Sequence, residues 1–186
     1  SKQKTLSDYL KIYIGFKRQD SKSMKFVNFY SRNNIHLGLK TDQGIVDISN
    51  ETSKNDSIKN YSIEQVIRSW EGIQPFFEEI IANHAETIPE ESVRFAPIIC
   101  HPEKILCVGL NYQSHIKESK MEVPKFPVIF SKFSNALAAH KESIALPASA
   151  QKFDYEAEFV IVIGKEGKNI AKEDALSYVF GYTIGN

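Results

Sequence analysis

Glu156 and Glu158 occupy alternate positions in the stretch FDYEAEFVIVIG, Phe153 to Gly164, with Asp154 one step earlier in the same alternation. On a β-strand, alternate side chains share a face, so the acids would line one side about 7 Å apart. Two such carboxylates supply hard oxygen ligands for Mg²⁺ or Mn²⁺, with water and substrate completing an octahedron. The same spacing also makes a solvated acidic edge that discourages strand-to-strand aggregation. Spacing alone leaves both readings open. The alternate face, Phe153, Tyr155, Ala157, Phe159, Ile161 and Ile163, reads as core, and the acidic face continues as Val160 and Val162. An apolar run on both faces adds weight to a metal, because crowded carboxylates that lose hydration need a counter-charge.

His115 and Glu118 form a second pair. On a helix they stand at i and i+3, where a carboxylate can orient an imidazole as a general base for water. The alternative is a surface pair of little consequence. Lys132, in IFSKFSN, sits among apolar neighbours. It either snorkels to solvent or meets an anionic ligand. His36 and His140 have no partner at metal-ligand spacing and read as core or surface residues.

These residues need elements to position them. KFVNFY, IHLGLK, a Thr41-Asp42-Gln43-Gly44 turn and IVDIS give a small antiparallel meander. Residues 50–60 are polar and loop-like. Ser62, with Gln65 three residues on, is a capping-box signature that opens a helix. Gly72 breaks that helix, and Pro75 starts a second one. The segment from Thr87 to Pro102, rich in proline and acid, is the expected domain boundary. Beyond it, KILCVGL reads as a buried strand turning at Gly109 into a helix, NYQSHIKES. PVIFSKFS and FDYEAEFVIVIG follow as strands, a short helix covers residues 169–179, and GYTIGN returns as a strand.

The 186 residues carry 23 basic and 23 acidic side chains, a balance that gives no electrostatic case for nucleic acid or an anionic membrane. No apolar run approaches the ~18 residues of a membrane span. Two cysteines beside apolar runs, Cys100 and Cys107, make no disulfide framework, so a cytoplasmic protein is expected. The division expected is an extension at 1–23 lying outside the fold, a small domain at 24–97, and the first part of a catalytic domain at 98–186. Met24 looks like a natural start, and GYTIGN stops at Asn186 in mid-pattern, so a longer protein is expected.

Taken in order, KILCVGLNYQSHIKE, PVIFSKFSN, FDYEAEFVIVIGK and DALSYVFGYTIGN resemble the fumarylacetoacetate hydrolase family. That family includes acylpyruvate hydrolases, oxaloacetate decarboxylases and dienedioate isomerases. The resemblance implies an α+β chain: the N-terminal meander with helices, then a mixed β-sandwich roll, here incomplete. It implies Mg²⁺ or Mn²⁺ on Glu156 and Glu158, with a third carboxylate directly after Asn186. It makes His115 and Glu118 a water-activating dyad and Lys132 a catalytic lysine, and it assigns Asn111, Tyr112, Ser134 and Tyr155 to substrate. Phe133 stands where proline is common in the family, and Leu110 where several members carry a basic residue. The implied function is action on a small 2-oxo acid through an enolate, with hydrolytic C–C cleavage of an acylpyruvate favoured over decarboxylation or isomerisation. A homodimer is implied too. Leu110 and the incomplete ligand set keep a non-catalytic binding or regulatory role as the alternative.

Overall fold

The computed structural model describes residues 14–16, 24–53, 61–83 and 86–186. The expected loop at 50–60 therefore lies largely outside the described residues. Two compact units make up the chain: Ser1–Ile99 with Ala138–Asn186, and Cys100–Leu137.

The larger unit is built on the expected meander, β2 (Met24–Ser31), β3 (Asn34–Thr41) and β4 (Gly44–Asp47). Its second turn is set by local chemistry. The Thr41 hydroxyl donates to the Gly44 carbonyl at 3.0 Å and accepts from the Gln43 amide at 3.2 Å. Gly44 adopts φ +145°, and a Cβ there would stand 2.6 Å from the Ile88 carbonyl oxygen. Only glycine fits that corner. The end of IVDIS departs from expectation. Ile48–Ser53 is a short helix, α1, whose start is held by Asp47 Oδ1 accepting from the Asn50 amide at 2.9 Å.

Helix α2 runs from Ile63 to Ala82 and opens with the expected capping box. The Ser62 amide donates to Gln65 Oε1 at 2.8 Å, and the Gln65 amide donates to Ser62 Oγ at 3.3 Å. The expected break is present as a kink rather than two helices. Ser69 leaves helical geometry (φ −112°, ψ 17°) and Pro75 lies inside the continuous stretch. Ile63, Val66, Trp70, Ile73 and Phe77 form its buried stripe. Against them pack Met24, Phe26, Leu37, Leu39, Val46, Ile48 and Phe180. Phe26, fully buried, meets the rings of Trp70, Phe77 and Phe180 at 5.6–6.2 Å.

Two expectations about organisation change. The sheet of this unit orders as β5-β4-β3-β2-β1-β10-β9, with β6 also on β2, where β1 is Ile14–Phe16, β5 Thr87–Ile88, β6 Arg94–Phe95, β9 Glu158–Ile163 and β10 Val179–Gly185. All these ladders are antiparallel. The stretch 1–23, set aside as an extension, thus contributes a strand that joins the meander to β10 through Gly15↔Lys25 and Gly15↔Tyr182. Three residues are too few to show a period, and pairing on both sides is what makes the strand. The expected boundary at 87–102 holds β5 and β6, and the first division between the two units falls within it, after Ile99, while Ala138–Asn186 returns to the larger unit. Asn28 Nδ2 fastens the end of the boundary segment by donating to the Pro97 and Ile98 carbonyls, each at 3.1 Å.

The smaller unit is a hairpin of β7 (Ile105–Gly109) and β8 (Val128–Lys132) with the helix α3 (Gln113–Glu118) between them in sequence. KILCVGL, expected to be buried, leaves Leu106 64% and Val108 45% exposed, and every residue of β8 is exposed. A two-stranded ladder has no second layer with which to bury a face.

Candidate functional site

The acidic strand is shorter than the alternation implied. Ladder pairing begins at Glu158, so Asp154 and Glu156 precede the strand rather than lie within it. Its faces are also reversed in burial. Phe159, Ile161 and Ile163, read as core, are 61%, 49% and 59% exposed, while Glu158, Val160 and Val162 are half-buried. The register explains the reversal. Thr183↔Val160 and Gly185↔Glu158 put the acidic face on the side of the sheet where α2 packs, and Val162 reaches the core there. On the other face the Phe159 ring stacks on Tyr182 at 5.1 Å.

Gly185 stands directly opposite Glu158 and offers no side chain, and a Cβ there would meet Val160 Cγ2 at 3.1 Å. Glu156 is exposed, and its amide donates to Asn186 Oδ1 at 2.8 Å, which ties the approach to the strand onto the end of β10. Thr183, 7% exposed, carries a buried hydroxyl with no hydrogen-bond partner. Two oxygen donors, a side-chain-free position opposite one of them and an orphaned hydroxyl on the same face are compatible with a hard cation. Among the described residues no group of three or more His, Cys, Asp or Glu is assembled for a metal.

The smaller unit carries the other candidates. His115 and Glu118 lie on α3 at the expected i, i+3 spacing, both exposed. No side-chain hydrogen bond joins them, because six residues of helix without a side-chain N-cap provide nothing to fix either rotamer. Asn111 and Tyr112, both exposed, connect β7 to α3. Before them Leu110 adopts φ +53°, a left-handed conformation that a bulky side chain rarely takes and that concentrates at functional loops. Lys132 pairs with Ile105, at the far end of the ladder from Gly109↔Val128, and is exposed. Four residues of strand, about 13 Å, separate it from Val128. Ser134 begins a single 3₁₀ turn after β8. Tyr155, with Glu156 and Glu158, belongs to the larger unit, and 67% of it is exposed.

Sequence reasoning missed three features. Thr183 and Asn186 gave no signal, because their places follow from the β9–β10 register. His36 was left without a partner, yet its Nδ1 lies 2.8 and 3.0 Å from the Asp47 carboxylate oxygens. Register also separates these two residues from any simple spacing, since Asp47 pairs with Gly38.

Residues 104–186 match the family described as Fumarylacetoacetate (FAA) hydrolase C-terminal. Residues 104–186 belong to the fumarylacetoacetate hydrolase family, by its C-terminal domain. A fumarylacetoacetate hydrolase domain-containing protein 2 homolog of Dictyostelium discoideum is 39% identical over 152 residues, which is 81% of this chain and 48% of the relative. The human mitochondrial oxaloacetate tautomerase FAHD2A is 32% identical over 172 residues, covering 90% of this chain and 54% of that protein. Among solved structures, maleylpyruvate hydrolase from Sphingobium sp. SYK-6, in complex with manganese(II) ion and pyruvate, aligns with a TM-score of 0.64 at 25% identity. That alignment covers 86% of this chain and 56% of that one. The chain thus spans about half the length of the curated relatives it matches. The α+β fold expected from the motifs is that of the family's C-terminal domain joined to a preceding meander. Members of the fumarylacetoacetate hydrolase family among these relatives include hydrolases and oxaloacetate tautomerases. No helix among the described residues is long and apolar enough to cross a membrane.

Proposed function

We propose that this chain supplies ligand and proton-transfer residues for a divalent-metal-dependent reaction on small 2-oxo acids. Keto–enol interconversion of an oxaloacetate-like diacid is the first reading, because the oxaloacetate tautomerases align over 90% of the chain. The observation that carries the metal reading is the β9–β10 register, which sets Glu158 opposite Gly185 and brings Glu156 to Asn186. Glu156 and Glu158 would hold Mg²⁺ or Mn²⁺, and the bound ion would supply Lewis-acid polarisation of the keto oxygen of the substrate. One more step of the same register would place a carboxylate following Asn186 opposite Glu156, on the face Glu158 shares.

The resemblance to the family supports a role for each remaining candidate taken by itself: Lys132 would offer an ammonium to a carboxylate, and Asn111, Tyr112, Ser134 and Tyr155 are hydrogen-bonding side chains. An imidazole nitrogen of His115 would take the proton from the carbon beside the keto group and deliver it to the enolate oxygen to give the enol, with Glu118 orienting the ring. C–C hydrolysis, the reaction favoured from sequence, is the second reading. It is supported by the likeness to maleylpyruvate hydrolase. There His115 would take its proton from the attacking water instead.

The test is a pair of assays on the purified chain with added Mn²⁺. One follows the ultraviolet decay of enol-oxaloacetate, and the other the loss of acetylpyruvate. Acceleration in the first assay alone supports the tautomerase, and acceleration in the second supports the hydrolase. Either rate should fall roughly 100-fold or more in Glu156→Gln and Glu158→Gln. No metal-dependent turnover in either assay would leave the non-catalytic role.

A further inference from the structure

Thr183 is a polar residue in a place that favours an apolar one. Its position in β10 faces the side of the sheet where α2 packs, and its neighbours there are Val160, directly opposite, and Gly181 and Gly185 along its own strand. Only 7% of the residue is exposed, and its hydroxyl finds no hydrogen-bond partner. A buried hydroxyl left unpaired is destabilising, and valine has the same shape without that penalty. The diagonal neighbour of Thr183 across the ladder, one pair beyond Val160, is Glu158. Diagonal pairs in an antiparallel ladder lie ~7–8 Å apart or less at Cβ, a span that a glutamate side chain can close.

We propose that Thr183 is a positioning residue for the metal site: its hydroxyl donates to the Glu158 carboxylate when that carboxylate binds a divalent cation. The inference rests on the metal reading of Glu156 and Glu158. A glutamate that gives one oxygen to a metal still has acceptor capacity, and a donor fixed in a packed interior restricts its rotamers. Gly185, directly opposite, offers no side chain to compete for the space. The proposed bond gives the buried hydroxyl of Thr183 a partner.

The experiment compares the full chain with Thr183→Val, Thr183→Ser and Glu158→Gln. It uses Mn²⁺ alone as the probe, read by calorimetry or by the electron paramagnetic resonance signal of free Mn²⁺, and takes melting curves without metal. Thr183→Val should melt no lower than the parent without metal, yet bind Mn²⁺ about tenfold or more weakly. Thr183→Ser, which keeps the hydroxyl, should bind within about twofold of the parent. Unchanged Mn²⁺ affinity in Thr183→Val, beside a clear loss in Glu158→Gln, would overturn this inference and leave the metal site standing. So would equal weakening by valine and serine, or a lower metal-free melting temperature for valine, since either makes the residue a packing element. If the parent chain binds no Mn²⁺, or Glu158→Gln binds as the parent does, the metal reading fails and takes this inference with it.

Discussion

The Glu156 amide donates to the side chain of Asn186 at 2.8 Å, although thirty positions separate the two residues in the chain. This bond continues the β9–β10 ladder one step past its last pair, Gly185↔Glu158. It orders the backbone on which one of the two candidate ligands stands, while the carboxylate itself stays in solvent.

Asn186→Ala should therefore leave global stability nearly unchanged and loosen Glu156 locally. An exposed bond of this kind is worth ~0.5–1.5 kcal/mol at most, so exchange of the Glu156 amide should speed up roughly two- to tenfold. Hydrogen exchange followed by NMR measures it. An unchanged rate would mean that the ladder alone holds that segment.

Phe26 is fully buried and meets Trp70, Phe77 and Phe180, so it ties β2, α2 and β10 into one core. Phe26→Ala should lower unfolding free energy by about 3–5 kcal/mol. Urea denaturation is the measurement. A loss under about 1 kcal/mol would show that α2 does not pack on the sheet as described.

Ser62→Ala removes one of the reciprocal bonds at the start of α2 and leaves the Gln65 amide to solvent. A loss of about 1 kcal/mol is expected, with no change in Mn²⁺ affinity, because the capping bonds run between Ser62 and Gln65 and not to Glu156 or Glu158. Denaturation curves and a metal titration on the same sample check both halves of this expectation.

Strand β9 is the edge of its sheet and exposes Phe159, Ile161 and Ile163 on one face. An apolar face beside open backbone groups invites another strand. Light scattering across a concentration series should show self-association of the parent chain. Ile161→Lys should reduce it without lowering the melting temperature, since Ile161 is already 49% exposed. Equal association in both would place the contact elsewhere.

Much of the site was legible because it is local. The Glu156-x-Glu158 spacing, the His115–Glu118 helix pair and the Gly-x-Asn-Tyr turn are fixed by neighbours within a few positions, as is the capping box at Ser62. Backbone geometry and side-chain reach act over that range, so order and residue type suffice to state them. The four ordered motifs carried the family for the same reason. The sequence by itself therefore determined the main α+β elements and their order, and which side chains are offered for chemistry.

Tertiary structure decided which of these residues meet and which face turns inward. Alternation in FDYEAEFVIVIG describes two faces but assigns neither to the core. The pairing of Val160 with Thr183, on a sheet covered by α2, is what turned the acidic face inward and left Phe159, Ile161 and Ile163 in solvent. Ile14–Phe16 became a strand only because β2 and β10 flank it. Neither Thr183 nor Asn186 has any local mark of a role. Their significance comes from register, and register is set by burial and ladder hydrogen bonds summed over strands far apart in sequence.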